Sequence, residues 1–400
     1  MIELASERGA YAGKLLADMG ADVVLVEPPG GDASRRIPPF LGDAPDPERS
    51  LFFWHYNTSK RGIVLDLEDA AARARFCALA QAADLVLESE APGRLAALGI
   101  DFEDLRASAP RLVWISLTPF GRSGPRSREA ATDLTLLAGG GPAWSCGYDD
   151  HSLPPVRGGG NQAHHTGGHF AVMSALVALL ARDVGGRGQL VDVNVHAALN
   201  VTTEAGSYEW LVARATVQRQ TGRHATVQPT LPTQICCADG RYVTTGIPPR
   251  TPREFRRVHE WIEALGLLSE FPEAFLLELG AERDRIMDLS KVAEDAEVQA
   301  IFGAGREAMN LIASVLPAYE FFQGSQQRGL PTGIVYSPEE AMQDPHFVAR
   351  GFPVDVPHPE LGRSFRYPGA PYRFQATPWR IRARAPRLGE HQQEILGSDA

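Results

Sequence analysis

The chain reads as an α/β protein: a large domain built on a mostly parallel sheet with helices on both faces, followed by a smaller α+β domain. Three observations predict this. Short continuous apolar runs alternate with helix-patterned segments through the first 200 residues, the pattern of strands buried on both faces. The pattern changes beyond residue 232, where an Asp239-Gly240 turn sits between two extended runs and marks a hairpin. Finally, 400 residues exceed what a single core usually organises.

The elements follow in order. Residues 2–4 form a short strand, and 9–19 a helix with Tyr11, Leu15, Leu16 and Met19 on one side. Residues 23–27 are a strand ending at Glu27, stopped by Pro28-Pro29-Gly30-Gly31. Residues 62–67 are a strand and the Ala/Arg/Leu-rich stretch 70–82 a helix. Strands follow at 84–87, 112–117 and 189–195, with a helix before the last of them. Residues 205–232 are rich in Arg, Gln, Thr, Gly and Pro and read as a linker. The hairpin spans 234–238 and 241–246; helices are expected at 251–265 and about 292–314. Residues 338–350 give one more helix, 360–371 run extended, and 389–396 form a short final helix.

Composition narrows the function. With 44% apolar and 22% charged residues the chain is an ordinary globular protein, and its net charge of −10 argues against nucleic acid or an anionic membrane as partner. A local basic pocket for an anionic ligand remains compatible with that charge. No apolar run approaches the roughly 20 residues of a membrane span. Met1-Ile2-Glu3-Leu4 already reads as a strand rather than a signal peptide. Four cysteines, two of them the adjacent Cys236 and Cys237, make no disulfide framework. A reduced, cytoplasmic protein is expected.

A series of motifs is more specific. Residues 15–32 read L-L-A-D-M-G-A-D-V-V-L-V-E-P-P-G-G-D, and 57–67 read N-T-S-K-R-G-I-V-L-D-L. Residues 83–87 with Pro92-Gly93 and Leu98-Gly99 follow, then 110–115 with Phe120-Gly121 and Gly124-Pro125. Residues 154–170 read P-P-V-R-G-G-G-N-Q-A-H-H-T-G-G-H-F ahead of a helix. Late in the chain come Asp344-Pro345, Ala349-Arg350-Gly351, the H-P-E-L-G of 358–362 and residues 386–391. In this order the set resembles family III CoA-transferases, the CaiB/BaiF group of formyl-CoA and carnitine CoA-transferases and alpha-methylacyl-CoA racemases.

The resemblance implies a Rossmann-like large domain assembled from both chain ends, a small domain from the middle, and an interlocked homodimer. Domain bounds follow as 1–204, a linker 205–232, a small domain 233–332 and a return segment 333–400. It also implies no permanently bound cofactor, with coenzyme A or an acyl-CoA as substrate and a carboxylate as acceptor. In such enzymes a loop Asp attacks the thioester carbonyl and expels CoA. The thiolate then returns to make an aspartyl-CoA thioester, which an acceptor carboxylate collects.

This chain departs from that pattern at the decisive position. The place of the loop Asp is taken by His164, with His165 and His169 nearby. An acyl-imidazole cannot become an aspartyl-CoA, so the family route cannot run through His164. The racemase set fares no better: its His falls on Thr132, its Asp on His164 and its Glu close to Pro249. His164 and Asp133 are the candidate catalytic residues, as a tuned imidazole–carboxylate pair; the competing reading of Asp133 is a helix cap. A metal site from the three histidines is disfavoured, because residues 164 and 165 diverge and no carboxylate follows at ligand spacing.

Positions where the family often carries basic or amide contacts to CoA hold Pro28, Glu68 and Ser89-Glu90-Ala91. Candidate CoA-binding residues are Arg8, Arg35, Lys60, Arg61, Leu65 and Arg94, with Arg8 foremost because it lies in the turn that opens the first helix. A dinucleotide enzyme is excluded: the turn from Ser6 to Ala12 lacks G-x-G-x-x-G, and Tyr11 would crowd a pyrophosphate. The readings left open are CoA transfer between carboxylic acids, a thioester hydrolase or lyase using His164 and Asp133, and a catalytically silent binding protein.

Overall fold

Six short strands carry the first half of the chain: β1 (Ile2–Leu4), β2 (Val24–Glu27), β3 (Arg61–Val64), β4 (Leu85–Glu88), β5 (Val113–Thr118) and β6 (Leu190–Asn194). The computed structural model describes residues 1–245, 248–288, 292 and 294–397, and of residue 205 the backbone alone. Among the described residues these six strands form one parallel sheet in the order β3-β2-β1-β4-β5-β6. Helices connect them: α1 (Ala10–Asp18), α2 (Leu51–Tyr56), α3 (Ala70–Ala82), α4 (Arg94–Ala97), α5 (Phe102–Ser108), α6 (Asp133–Gly140) and α7 (Gln162–Gly185). After β6 come α8 (Val195–Val201) and α9 (Glu204–Ala213).

The period-2 alternation of the strands explains the two cores. Leu85, Leu87, Val113, Ile115 and Leu117 face one side and pack with Leu16 of α1 and Ala171 and Ala175 of α7. Val86 and Trp114, one residue out of phase, face the other side with Ile63, Phe76, Ile100 and Leu105. The chain runs outward from β1 through β2 to β3, then crosses back to β4 on the other side of β1. This reversal opens a crevice beyond the carboxyl ends of β1 and β4, where open α/β sheets take their ligands.

The sheet edge at β3 is closed by the far end of the chain. Gly62 N donates to His391 Nδ1 (3.1 Å) and Val64 N to Gln392 Oε1 (2.8 Å), just ahead of and within the short helix Gln392–Leu396. A paired edge leaves no free ladder for another chain to join. One compact unit therefore comprises residues 1–146, 154–216 and 342–400. It also holds an antiparallel ribbon of residues 353–358 and 363–368.

The other unit comprises residues 147–153 and 217–341. It contains the ribbon β7 (Gln218–Gln220) and β8 (Arg223–Thr226), and a three-stranded antiparallel sheet of β9 (Gln234–Cys236), β10 (Tyr242–Thr244) and β11 (Gly333–Ile334). Four helices pack beside it: α10 (Pro252–Ala264), α11 (Ala274–Glu282), α12 (Ala296–Val315) and α13 (Ala318–Gln327). Phe255, Trp261, Ile301, Met309 and Phe321 are central to its core. A Cβ on Gly280 would lie 2.6 Å from the Phe255 ring, so α11 meets α10 only because that position is glycine. Past β11 the remaining helices are α14 (Pro338–Ala341), α15 (Pro345–Ala349) and α16 (Gln392–Leu396).

Several sequence expectations change. Residues 205–232 are not plain linker: they contain most of α9 and the β7–β8 ribbon. The return segment begins after 341 rather than at 333, because Ile334 pairs with Val243 and stays in the small unit's sheet. The one helix expected over 338–350 is two, separated at Asp344, which caps α15 by accepting from the amides of His346 and Phe347. The end of the second hairpin arm, Gly246, lies outside the described residues. Helix α7 is long and apolar enough to cross a membrane by length and composition, contrary to the reading that no run comes near. It instead packs on the sheet, and its Arg182 binds Asp84 at 2.8 Å.

Candidate active site at the sheet crevice

The crevice is built from two loops that leave the sheet side by side. Ser6, Glu7 and Arg8 follow β1, and Ser89 and Glu90 follow β4. Parallel pairing of Ile2 with Val86 and Glu3 with Leu87 sets the two exits in register. The hydroxyls of Ser89 and Ser6 meet at 2.5 Å, and the Arg8 Nη1 donates to the Ser89 carbonyl at 3.1 Å. Ser6 Oγ also accepts from Gly9 N (3.0 Å), which shapes the entry to α1. Arg8 Nε is buried and has no partner among the described residues.

The third wall is the start of α7. Thr132 caps α6 through a reciprocal bond with Thr135. This places Asp133 so that its Oδ1 accepts from Ala163 N at 2.7 Å and its Oδ2 meets Arg157 Nη1 at 3.3 Å. Arg157 further donates to the carbonyls of Gly158 and Gly160 and so ties down the glycine run before the helix. His164 follows on the first turn of α7, 5% exposed. Its Nδ1 makes no hydrogen bond; the nearest carboxylate oxygen is Glu7 Oε1, at 3.7 Å. Burial, then the Arg8 charge, lower its pKa to about 4, so the imidazole is neutral at pH 7.

Arg8, Ser89, Asp133, Arg157 and His164 line one cavity of about 460 Å³. The structure thus brings together two sequence candidates, His164 and Arg8, and places Asp133 beside them. No hydrogen bond joins Asp133 to His164, because both carboxylate oxygens are engaged elsewhere; Asp133 acts as the helix cap. His165 points away, its Nε2 2.8 Å from the Tyr56 hydroxyl and its ring 4.3 Å from that of Tyr11. His169 packs edge-on against Tyr11 at 5.2 Å. The three histidines therefore do not converge.

The other basic candidates divide. Arg35 is buried in a two-pronged pair with Glu27, at 2.6 and 2.7 Å, and also donates to Pro386 O. Lys60 is fully buried on Glu3 Oε1 (2.8 Å), Asn57 Oδ1 and the Ala10 carbonyl. A Cβ on Gly13 would sit 1.7 Å from Glu3 Oε2, so the pair exists only because α1 carries glycine there. Arg61 lies at the start of β3, at the opposite end of the strand from the crevice, bound to Asp22 and Glu394. These three sequence candidates form ion pairs within the fold and do not line the cavity of His164. Leu65 and Arg94 do meet, lining a cavity of about 270 Å³ at the ends of β1–β3. Arg94 is held there by Glu68 (2.6 Å) and Glu90 (3.9 Å), and Asp32 and Asp66 also border the space. The sequence reading did not single out Ser6 or Arg157, and named Ser89 only as a departure from the family's CoA contacts; the run of glycines after Arg157 was the available signal.

The family model for CoA-transferase family III matches residues 6–392. The chain belongs to CoA-transferase family III. It is 32% identical, over 99% of its length and 92% of the relative's, to the succinyl-CoA:(R)-benzylsuccinate CoA-transferase subunit BbsE of Thauera aromatica. It is 30% identical to the succinyl-CoA–D-citramalate CoA-transferase of Chloroflexus aurantiacus, over 97% of this chain and 89% of that one. A CaiB/BaiF family protein from Brucella suis shares the fold, with a TM-score of 0.78 and 24% identity over 99% of this chain and 96% of that one.

Family III motifs thereby acquire physical roles. The N-x-x-K pattern of Asn57 and Lys60 is a buried tether to Glu3. The late segment from Pro386 to His391 is the closure of the β3 edge. What the family fold leaves at the crevice of this chain is a buried neutral imidazole, a half-buried guanidinium with a vacant Nε–H, and a capped helix start.

Proposed function

We propose that this chain binds an acyl-CoA and a carboxylic acid as one subunit of a CoA-transferase whose carboxylate nucleophile is supplied by a second, different family III chain. One observation carries the reading: residues 151–182, which span the whole loop and most of α7, contain neither Asp nor Glu. The chemistry of exchange needs a carboxylate there. It attacks the thioester carbonyl, CoA leaves as thiolate, and the thiolate must then find an acyl-carboxylate anhydride whose second carbonyl it can attack. His164 offers no such second carbonyl. A homodimer would repeat the same gap in both copies. That a similar relative is named as a subunit supports a division of labour between chains.

The test is direct. The purified chain alone should show no CoA exchange between succinyl-CoA and a dicarboxylic acid. Mixed or co-expressed with a family III chain that carries the loop Asp, it should form an active complex in which hydroxylamine displaces CoA from the activated Asp and leaves a hydroxamate on the partner. Exchange at ordinary rates by the chain alone, with an adduct inside residues 151–182, would sink the proposal.

A second reading rests on the unbonded, neutral Nδ1 of His164: slow thioester hydrolysis through an acyl-imidazole, in which the thiolate leaves, water attacks the acyl carbon and imidazole is released. Hydrolysis of succinyl-CoA by the isolated chain, abolished in His164→Ala, supports it; equal rates in the two proteins remove it.

A further inference from the structure

We infer that Arg8 and His164 form a carboxylate subsite that selects substrates carrying a second, non-reacting carboxylate, with Arg8 as the specificity-determining residue. The inference rests on the CoA-transferase reading and names its substrate class as dicarboxylic acids and their mono-CoA thioesters.

Two buried polar atoms at the crevice have no partner among the described residues, Arg8 Nε and His164 Nδ1. Both side chains border the same cavity of about 460 Å³. Buried polar groups are normally paired, and a ligand seated in that cavity supplies partners that these two side chains lack within the protein. Arg8 is positioned in advance. Its Nη1 is anchored on the Ser89 carbonyl, and the Ser6–Ser89 hydroxyl bond holds together the two loops that present it. The neutral His164 is a donor here in its Nδ1–H tautomer.

Two donors on adjacent walls, one a guanidinium, match the paired oxygens of a carboxylate. Neighbouring charge is compatible. The oxygens of Asp133 are held by Ala163 N and Arg157. Glu7 and Glu90 also border the cavity, but both are partly solvent-exposed and Glu90 is drawn towards Arg94.

Arg8 borders two cavities, one of about 460 Å³ shared with His164 and one of about 680 Å³ shared with Arg94, so the CoA phosphates are the competing ligand for it. Arg8 does not border the cavity of Leu65 and Arg94 at the ends of β1–β3. It lines the space on the His164 side, where the acyl group must lie if the exchanged carbonyl is to meet a nucleophile near the start of α7. Exchange consumes only one carboxylate of the acid. The other stays ionised through the whole cycle, and Arg8 with His164 offers it two polar atoms that have no partner among the described residues.

The experiment compares succinyl-CoA with butyryl-CoA, which lacks the remote carboxylate, by calorimetry on the full chain. Wild type should prefer succinyl-CoA by about tenfold or more, the effect of a charge-assisted hydrogen bond. In Arg8→Gln the preference should disappear, with succinyl-CoA falling to the level of butyryl-CoA; Arg8→Lys should keep part of it, and His164→Phe should reduce it. No preference in wild type overturns the inference. So does a loss in Arg8→Gln that is equal for both thioesters, which would return Arg8 to the CoA phosphates. If wild type binds neither thioester, the CoA reading fails on its own. Thermal shift with succinate against butyrate then decides the subsite: stabilisation by succinate alone, lost in Arg8→Gln, upholds it, and no difference between the two acids overturns it.

Discussion

His164 shows how burial tunes a single residue. Its folded pKa of about 4 lies below the ordinary 6.5, chiefly through desolvation and then the Arg8 charge. The unfolded chain therefore binds more protons than the folded one between those values. Its contribution to stability is complete above about pH 6.5 and is lost as pH falls towards 4, a swing on the order of 3 kcal/mol. His164→Phe should flatten that part of the stability–pH curve, measured by urea denaturation between pH 4 and 7.5; an unaltered curve would show that the imidazole is not buried. A second expectation at this scale concerns Glu68, which engages Arg94 at the cavity beside Leu65. Glu68→Lys should tighten CoA binding several-fold by calorimetry, more at low salt, because it replaces repulsion of a phosphate with attraction. No change would mean that the CoA phosphates lie elsewhere. Residues of this kind were only half legible in the sequence. Arg8 and His164 stood out by position in a turn and a motif. Arg35 and Lys60 looked like equal candidates, because a sequence displays a charge without the Glu27 or Glu3 that neutralises it in the core.

At the scale of elements the sequence was more informative. Strand positions came from runs buried on both faces, and α3 was legible end to end from its helix-forming composition. Short helices such as α2 and α6 were not, since six or eight residues hold too little periodicity; they are specified by caps, Ser50 for α2 and Thr132 for α6. The start of α7 depends on such a device from outside the helix. Asn161 supplies no side-chain cap, and the Asp133 carboxylate accepts from Ala163 N instead. Asp133→Ala should cost about 1–2 kcal/mol in denaturant unfolding, whereas Asp133→Asn, which keeps the acceptor oxygen, should cost clearly less. Equal losses would assign the effect to the Arg157 ion pair rather than to the cap.

The whole molecule carries a feature that no single element explains. Along α7, Met173, Val177, Leu180 and Val184 are 52%, 60%, 67% and 93% exposed, and Leu176 joins them. Their spacing of three and four residues makes one continuous apolar stripe. On α9, Trp210, Leu211 and Val212 are more than half exposed as well. Apolar surface on this scale marks a contact site for another chain, a membrane or a ligand. The opposite side of α7 is already packed on the sheet, so the stripe has no core of its own left to join. The sequence showed α7 as a helix but not this asymmetry, because an apolar residue facing a partner reads the same as one facing the core. If the stripe is the assembly face, the wild-type chain should scatter light as a particle of about twice its 43.4 kDa, alone or with the second chain proposed above. Leu180→Asp, which sets a charge in the middle of the stripe, should shift the particle to the monomer mass while circular dichroism keeps its helical signal, because Leu180 contributes nothing to the buried core. Loss of CoA exchange in the reconstituted complex should accompany dissociation, since the nucleophile would leave with the partner. A wild-type chain that stays monomeric at micromolar concentration, both alone and in an active mixture, would refute the two-chain site.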